Sequence, residues 1–360
     1  MLIISRTPIR LSFFGGGTDY PLYYHRHPGA VLGTTINQYT HVSLKTLRSP
    51  FFEYNYRIAY SCIELVDTID DIIHPSIREC LKYTNIPDNL EINIFSDLPA
   101  RTGLGSSSSF TVGFLNALYA LQGTHLSKQH LAEKACFVEQ ELIGERVGSQ
   151  DQFHATFGGL NLIEFKPEKI ICRPLVLPQE KKDFLESQIL LFYTQKTRQA
   201  SEIVKEQLEK TIQKQNDQLL DQMYTMVFEA EEILTHLSKK EMIRSFGQLL
   251  HKSWNLKKQL SNKISLPFID EAYHKALEAG AYGGKLCGAG QGGFLALVVP
   301  FDKQNQVRQA LASLPEIDFR FENKGSTIIY ETNRRNYFGR RTWNKTAGSC
   351  TRSTQTSSKH

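Results

Sequence analysis

The stretch DLPARTGLGSSSSFTVGF (Asp97–Phe114) joins two segments of different hydrophobic period. Before it, NLEINIF alternates apolar and polar residues, which predicts a strand. From Phe110 onward, Phe114, Leu118 and Leu121 recur at spacings of four, four and three residues, which predicts a helix. Because a flexible Gly/Ser linker would not normally lie between such firmly patterned segments, we predict an ordered strand–loop–helix unit.

The loop of this unit has the chemistry of a phosphate-binding site. Gly103 and Gly105 would let the backbone approach phosphate oxygens without a Cβ atom in the way. Serines 106–109 begin the helix, where free backbone N–H groups and the helix dipole favour an anion. A hydroxyl among these serines could also ligate Mg²⁺, a hard cation that prefers oxygen.

Two more glycine-rich loops are FFGGGTDYP (residues 13–21) and KLCGAGQGGF (residues 285–294). The P-loop pattern and the protein-kinase motifs H-R-D and D-F-G are absent from the sequence. A G-x-G-x-x-G pattern occurs at Gly288, Gly290 and Gly293, but FLALVV follows it and predicts a strand. A dinucleotide-binding fold needs a helix there, so we reject an oxidoreductase of that type.

Two carboxylates are candidates for metal and proton chemistry. Glu139 lies in a predicted helix that Ser127 caps, KQHLAEKACFVEQELIGE, and Asp151 follows in VGSQDQF. One carboxylate near a phosphate loop could hold Mg²⁺, and the other could accept a proton from an attacking hydroxyl. Arg10, just before the first glycine loop, would keep such a base ionised.

Composition narrows the class of protein. The chain has 360 residues and a formal charge of +5, but seven of its 42 Lys and Arg lie beyond residue 332, where no acid occurs. The other 35 basic and 37 acidic residues give −2, which is not the signature of a nucleic-acid-binding protein. No apolar run is long enough to span a bilayer, and the six scattered cysteines argue against a zinc site or disulfide framework. We predict a cytoplasmic enzyme without membrane or nucleic-acid partners.

The remaining pattern indicates an α+β protein in two subdomains. GAVLGTTINQYTHVSLKTL predicts two strands, and GGLNLIEF and SQILLFYT predict one each. A helical pattern runs from Ala200 to about Leu260, and FIDEAYHKALEAG and DKQNQVRQALASL add two helices. IDFRFENK and TIIYET predict the closing strands, and the polar tail after residue 332 is predicted to be disordered.

Together these motifs resemble the GHMP kinase family, named for its galactokinase, homoserine, mevalonate and phosphomevalonate members. PARTGLGSS (Pro99–Ser107) matches the family's P-x-x-x-G-L-G-S-S motif, and KLCGAGQGG (Lys285–Gly293) matches K-L-x-G-A-G-x-G-G. RTPIRLSFFGGGTDY is similar to the N-terminal motif. The resemblance implies a ribosomal-protein-S5-domain-2-like N-terminal subdomain at 1–190 and a ferredoxin-like subdomain at 191–332, with a basic tail at 333–360 outside it.

The resemblance also implies site roles. Asp151 would be the catalytic base with Arg10 as its partner, and Glu139 with Ser107 or a neighbouring serine would bind Mg²⁺. The ATP site would comprise Pro99, Arg101, Gly103, Leu104, Gly105, Ser106, Ser107, Ser108, Ser109, Gly288, Gly290 and Gly292. The sugar site would comprise Gly16, Gly17, Thr18, Asp19, Lys196 and Arg198, with His25, Arg26 and Arg101 as further candidates for a phosphate pocket.

The substrate can be narrowed by departures from the family pattern. The galactokinase signature G-E-H-T-D-Y is GGGTDY here, so Gly16 and Gly17 replace residues that help hold galactose, while Asp19 keeps the sugar-binding position. The sequence is most similar to bacterial D-glycero-D-manno-heptose 7-phosphate kinases, which implies phosphorylation at O1 for nucleotide-activated heptose and surface polysaccharide. A fucokinase-like sugar 1-kinase and a non-catalytic binding protein of the same fold are the alternatives, and a homodimer is compatible with the sequence.

Overall fold

A computed structural model describes residues 1–47, 51–86, 89–100, 102–195 and 200–332. The strands are β1 (Leu2–Phe14), β2 (Gly29–Thr46), β3 (Tyr56–Ala59), β4 (Ile63–Val66), β5 (Leu90–Ser96), β6 (Asn161–Phe165), β7 (Ile170–Pro174), β8 (Ile189–Tyr193), β9 (Gly283–Leu286), β10 (Phe294–Val298), β11 (Glu316–Ile317), β12 (Phe321–Glu322) and β13 (Thr327–Glu331). The helices are α1 (Pro21–Tyr24), α2 (Pro75–Thr84), α3 (Ser106–Leu121), α4 (Lys128–Phe137), α5 (Gln150–Phe157), α6 (Gln179–Ser187), α7 (Ala200–Ile212), α8 (Asp217–His236), α9 (Lys239–Gln259), α10 (Pro267–Glu278) and α11 (Gln304–Ala310). The predicted α+β class is confirmed.

The first sheet is organised around the long strand β2. One edge of β2 pairs antiparallel with β1, and its other edge pairs in turn with β6, β12 and β5. The sequence prediction of two strands in this stretch is wrong, because residues 29–46 form one strand whose register against β1 shifts between Pro8 and Ile9. Such an irregularity bends a strand without ending it, so one strand can serve several partners.

The second sheet has the order β11–β8–β10–β9, with antiparallel neighbours. IDFRFENK does not form one strand, because its two ends belong to different sheets: β11 pairs with β8, and β12 pairs with β2. The chain therefore returns to the first sheet, where β13 pairs with β1. The division at residue 190 stays a prediction, and the predicted tail after residue 332 lies outside the described residues.

Helix α3 is the buried helix on which the first subdomain is built. Its apolar side chains, including Phe114, Leu115 and Leu118, are fully buried, and the helix packs against α2 and against β1 and β2. Helices α8 and α9 cover the other face of β1, where Phe246 contacts Phe13 and Phe14 edge-on. No helix in the described part of the chain combines the length and apolar character needed to cross a membrane.

Candidate active site

The predicted phosphate loop connects β5 to α3. Gly105 is the N-cap residue of α3 with a φ of 76°, a left-handed conformation that favours glycine. A Cβ atom at Gly105 would lie 3.1 Å from Asp151 Oδ2 and 3.2 Å from Arg10 Cγ, so the loop passes directly over these two side chains. Leu104 is fully buried and its carbonyl accepts the backbone N–H of Arg10, which fixes the loop to β1.

The third glycine-rich loop, between β9 and β10, packs against the phosphate loop. A Cβ atom at Gly293 would lie 2.2 Å from the carbonyl oxygen of Thr102, so only glycine permits this approach. Lys257 on α9 donates a hydrogen bond to the carbonyl of Gly288. The structure therefore brings together the two loops that the sequence assigns to ATP, one from each predicted subdomain, and their roles in binding ATP stay predictions.

Asp151 and Arg10 form a two-pronged ion pair beside the phosphate loop. Arg10 Nε lies 2.7 Å from Asp151 Oδ1, and the terminal NH2 nitrogen lies 2.9 Å from Oδ2. The NH1 nitrogen donates to the carbonyl of Gly103 at 2.6 Å, so Arg10 joins the carboxylate to the loop. The Arg10 side chain is 7% exposed whereas the Asp151 side chain is 22% exposed. The two hydrogen bonds thus hold the carboxylate in place, while part of it stays accessible to a substrate.

Glu139 lies in a different environment. The predicted helix ends its α-helical part at Phe137 and continues as a π-helical turn, Val138–Leu142, which places Glu139 inward at 1% exposure. Its Oε2 accepts hydrogen bonds from Ser108 Oγ at 2.8 Å and Gln152 Nε2 at 2.5 Å, whereas Oε1 has no partner among the described residues. Burial raises the pKa of Glu139 to about 7, although hydrogen bonds from the side chains of Thr111, Ser108 and Gln152 partly offset it.

The Glu139 carboxylate is suited to bind a divalent cation. A buried carboxylate oxygen that accepts no hydrogen bond can bind a metal ion instead. No group of three or more His, Cys, Asp or Glu that could hold a metal ion occurs within the described ranges. Mg²⁺ commonly binds through one or two protein oxygens plus substrate phosphates and water, which needs no such group. Ser108 contacts Glu139, whereas the predicted ligand Ser107 is exposed on the same turn.

The loop after β1 holds a second buried carboxylate. Asp19 is 1% exposed, and its Oδ1 and Oδ2 accept hydrogen bonds from the Gly17 backbone N–H and from Gln150 Nε2. Burial raises the pKa of Asp19, and the nearby Asp151 charge adds to the effect. The Thr18 hydroxyl lies within hydrogen-bonding distance of the carbonyls of Gly15 and Ala30, so it holds the loop rather than facing a ligand.

The residues predicted to bind the sugar phosphate do not form one pocket within the described part of the chain. Lys196, Arg198 and Arg101 lie outside the described residues. Arg26 pairs with Asp217, whose Oδ2 is 3.1 Å from its NH1 nitrogen, and it also donates to the carbonyl of Thr211. His25 is exposed at the end of α1. The pocket for a sugar phosphate therefore stays a prediction.

Sequence reasoning missed several side chains that complete the site. Gln150 and Gln152 flank Asp151 and bind Asp19 and Glu139, respectively, and the SQDQF sequence around Asp151 was the available signal. Lys285, the first residue of the C-terminal motif, is buried and donates to the carbonyl of Phe13 at 2.9 Å. Burial lowers the pKa of Lys285 to about 8. This bond ties β9 of the second sheet to the end of β1, next to the Asp19 loop.

Two family models match the chain. Residues 71–159 match the GHMP kinases N terminal domain, which spans the phosphate loop, Glu139 and Asp151. Residues 234–316 match the GHMP kinases C terminal domain, which spans the third glycine-rich loop.

Similar proteins of known sequence and structure agree with these two family matches. A D-glycero-alpha-D-manno-heptose 7-phosphate kinase of Campylobacter jejuni is 31% identical, over 90% of this chain and 97% of its own length. A bifunctional fucokinase/GDP-fucose pyrophosphorylase of Arabidopsis thaliana is 23% identical, over 88% of this chain and 32% of its own length. The crystal structure of a D-glycero-D-manno-heptose 1-phosphate kinase from Bacteriodes thetaiotaomicron superposes with a TM-score of 0.73 at 24% identity, covering 92% of this chain and 100% of that one. The predicted fold is confirmed.

Proposed function

This chain belongs to the GHMP kinase family, and on that premise we propose that it phosphorylates the anomeric O1 of D-glycero-D-manno-heptose 7-phosphate. It is an ATP-dependent phosphotransferase with an alcohol group as acceptor, of the family's sugar kinases. The product in this proposal is the 1,7-bisphosphate, which would supply nucleotide-activated heptose for surface polysaccharide.

The observation that carries the proposal is the position of Asp151. Its carboxylate is fixed by Arg10, lies under the phosphate loop at Gly105, and follows directly on Gln150, which binds Asp19. A hydroxyl placed between Asp19 and Asp151 would therefore face the loop that we assign to the γ-phosphate. Asp151 would accept the proton of that hydroxyl as the oxygen attacks phosphorus.

The phosphate loop would act by position and charge. The first turn of α3 offers unpaired backbone N–H groups, and the loop glycines allow the triphosphate to approach them. Arg10 is held by Asp151 and the Gly103 carbonyl, so its charge stabilises the base and the loop together. These interactions would lower the barrier through positioning and electrostatic stabilisation of charge rather than through a covalent intermediate.

Glu139 and a serine at the start of α3 would hold Mg²⁺, and Ser108 is the serine in contact with Glu139. When bound, the ion would neutralise charge on the ATP phosphates. The Glu139 carboxylate would bind the ion in its ionised form. Gln152 would keep the carboxylate oriented through its bond to Oε2.

The choice of sugar rests on the relative of Campylobacter jejuni and on the replacement of the galactokinase Glu and His by Gly16 and Gly17. A fucokinase-like activity is the second candidate, since the Arabidopsis thaliana relative matches this chain over one part of its length. A non-catalytic binding protein is disfavoured because such a protein has no need of the Asp151–Arg10 pair beside the phosphate loop. We also propose a cytoplasmic location.

The test is a panel of acceptors supplied with ATP and Mg²⁺. We expect the highest kcat/KM with D-glycero-D-manno-heptose 7-phosphate, compared with mannose 6-phosphate, fucose and galactose. ³¹P NMR of the product should show a new phosphate on the anomeric carbon. Preference for fucose would favour the second candidate, and turnover without any phosphosugar preference would refute the heptose 7-phosphate assignment.

A further inference from the structure

Lys285 places a charged group between the two sheets. It lies on β9 of the second sheet, is 5% exposed, and its Nζ atom donates to the carbonyl of Phe13 on β1 at 2.9 Å. Burial lowers the pKa of Lys285 to about 8, which shows that the charged form is unfavourable at this position. Because an apolar side chain avoids that desolvation, the stability of the fold does not by itself explain a lysine here.

A bulge in β1 accounts for the direction of the Phe13 carbonyl. Ser12 and Phe14 pair with consecutive residues of β2, so Phe13 has no register partner on that strand. The Phe13 ring packs edge-on against Phe246 of α9, with 5.3 Å between the ring centroids. Both the carbonyl and the ring of Phe13 are therefore held by elements that follow the first sheet in sequence, directly before the loop after β1 begins.

The strand that carries Lys285 is itself held tightly. A Cβ atom at Gly283 would lie 2.1 Å from the carbonyl oxygen of Gly247 on α9. A Cβ atom at Gly284 would lie 2.3 Å from the carbonyl oxygen of Ala296 on β10. Because neither glycine leaves room for a side chain, β9 is pressed between α9 and β10, and the Lys285 backbone has a fixed position.

The third glycine-rich loop is attached at both of its ends. Two residues before the loop starts, Lys285 binds the carbonyl of Phe13, which lies two residues before the loop after β1. At the other end, a Cβ atom at Gly293 would lie 2.2 Å from the carbonyl oxygen of Thr102 in the phosphate loop. The third loop therefore connects the loop that we assign to the acceptor with the loop that we assign to ATP.

We propose that Lys285 is a positioning residue that couples the acceptor site to the ATP site. Acting through the Phe13 carbonyl, it fixes the separation between the loop after β1 and the phosphate loop, so that each substrate favours binding of the other. The coupling is thermodynamic linkage, because both substrates stabilise the same arrangement of the three loops. The inference rests on the proposed function, since it takes its two sites from there.

The test measures this coupling in the wild type and in Lys285→Met, which removes the ammonium but keeps an unbranched side chain. A non-hydrolysable ATP analogue with Mg²⁺ and the acceptor selected by the panel are titrated by calorimetry, separately and together. In the wild type we expect the analogue to tighten acceptor binding at least about fivefold, and the acceptor to tighten analogue binding by the same factor.

In Lys285→Met the coupling factor should fall below about twofold. The Kd of each substrate measured alone should change less than about threefold, because Lys285 contacts neither substrate in this proposal. The kcat should fall about 10- to 100-fold, since small errors in the placement of the reacting groups slow the transfer. A loss of coupling and kcat without a loss of separate binding is the signature of positioning.

Lys181→Met is the matched control. Lys181 Nζ on α6 donates to the carbonyls of Leu234 and Thr235 on α8, so the same substitution removes the same kind of bond away from the three loops. We expect wild-type coupling and kcat in this variant. Lys285→Gln is a second test variant, because its amide keeps the buried position polar but ends one atom short of the Nζ position. It should also lose the coupling, and it decides the test if Lys285→Met does not fold.

Two results would overturn the inference: no coupling in the wild type, or wild-type coupling in the folded Lys285 variants. An equal loss in Lys181→Met would also overturn it, because the loss would then reflect general loosening of the fold. A wrong heptose assignment changes only which acceptor is titrated, so it is distinguished from a wrong role of Lys285.

Discussion

Two carboxylates within one site are treated in opposite ways by the surrounding protein. Asp151 meets a guanidinium through two hydrogen bonds and keeps a face accessible. Glu139 is more deeply buried, its neighbours are the neutral donors Ser108, Gln152 and Thr111, and its Oε1 accepts no hydrogen bond within the described part of the chain. A protein that needed two structural ion pairs would have provided two cations. This difference fits the proposal that Glu139 receives a metal ion and that Asp151 accepts a proton.

The same comparison explains why Arg10 belongs with Asp151. A base must be held in position before the substrate arrives, and the Arg10 guanidinium holds the Asp151 carboxylate through two hydrogen bonds. A metal ligand can be partly protonated in the free protein, because the metal displaces the proton on binding. The pKa of about 7 for Glu139 fits this second role.

The largest expected effect comes from removing the Asp151 carboxylate. Asp151→Asn keeps the shape but cannot accept the proton, and we expect kcat to fall about 10²- to 10⁴-fold while ATP still binds. The substitution also leaves Arg10 with a weaker partner, so the free energy of unfolding should fall by about 1–3 kcal/mol. Steady-state kinetics and urea unfolding measure the two effects, and wild-type kcat in this variant would remove Asp151 as the base.

Glu139→Gln tests whether the buried Glu139 carboxylate makes the stability of the protein depend on pH. Because burial raises the folded-state pKa of Glu139 from 4.5 to about 7, the folded state binds this proton more tightly than the unfolded state. Stability from this group is therefore fully present below about pH 4.5 and is lost as pH rises to about 7, a total of about 3 kcal/mol.

We expect Glu139→Gln to become more stable relative to the wild type as the pH rises from 5 to 7.5, when the free energy of unfolding is measured without metal. Asp151→Asn should instead be less stable than the wild type at both values. Parallel pH profiles for Glu139→Gln and the wild type would show that Glu139 is not the uncompensated charge that its surroundings indicate.

A smaller effect sharpens the assignment of the metal ligand on α3. Ser108 touches Glu139 and is buried, whereas Ser107 is exposed on the same turn. We expect Ser108→Ala to raise the Mg²⁺ concentration needed for half-maximal activity about tenfold, the scale of one hydrogen bond to a charged group. Ser107→Ala is the matched control. The opposite order of the two variants would assign the ligand to Ser107, the serine that the family resemblance named first.

Much of the fold followed from local patterns. The strand at Leu90–Ser96, the helix from Ser106, and the helices between Ala200 and Gln259 appear where their periods predicted them. The Ser127 cap is also confirmed, since its hydroxyl accepts the His130 N–H. These elements could be predicted because one face of each is apolar at a regular spacing.

The predictions of secondary structure were wrong where contacts between residues distant in sequence determine the element. Whether residues 29–46 form one strand or two depends on the partners along β2, which lie far away in sequence. The π-helical turn at Glu139 has no period of its own, and the ends of IDFRFENK separate because two sheets compete for them. The site motifs named Asp151, Arg10 and Glu139, but only the fold shows that Gln150, Gln152 and Lys285 complete their surroundings.

The most direct test of the account is the affinity for Mg²⁺ in the presence of a non-hydrolysable ATP analogue, measured by calorimetry on the wild type, Asp151→Asn and Glu139→Gln. If Glu139 is the carboxylate that receives the metal ion, Glu139→Gln should bind Mg²⁺ at least about tenfold more weakly, as loss of a charged ligand requires. Asp151→Asn should stay within about twofold of the wild type, because Arg10 already neutralises that carboxylate. Weak binding by Asp151→Asn together with wild-type binding by Glu139→Gln would reverse the two roles and contradict the account.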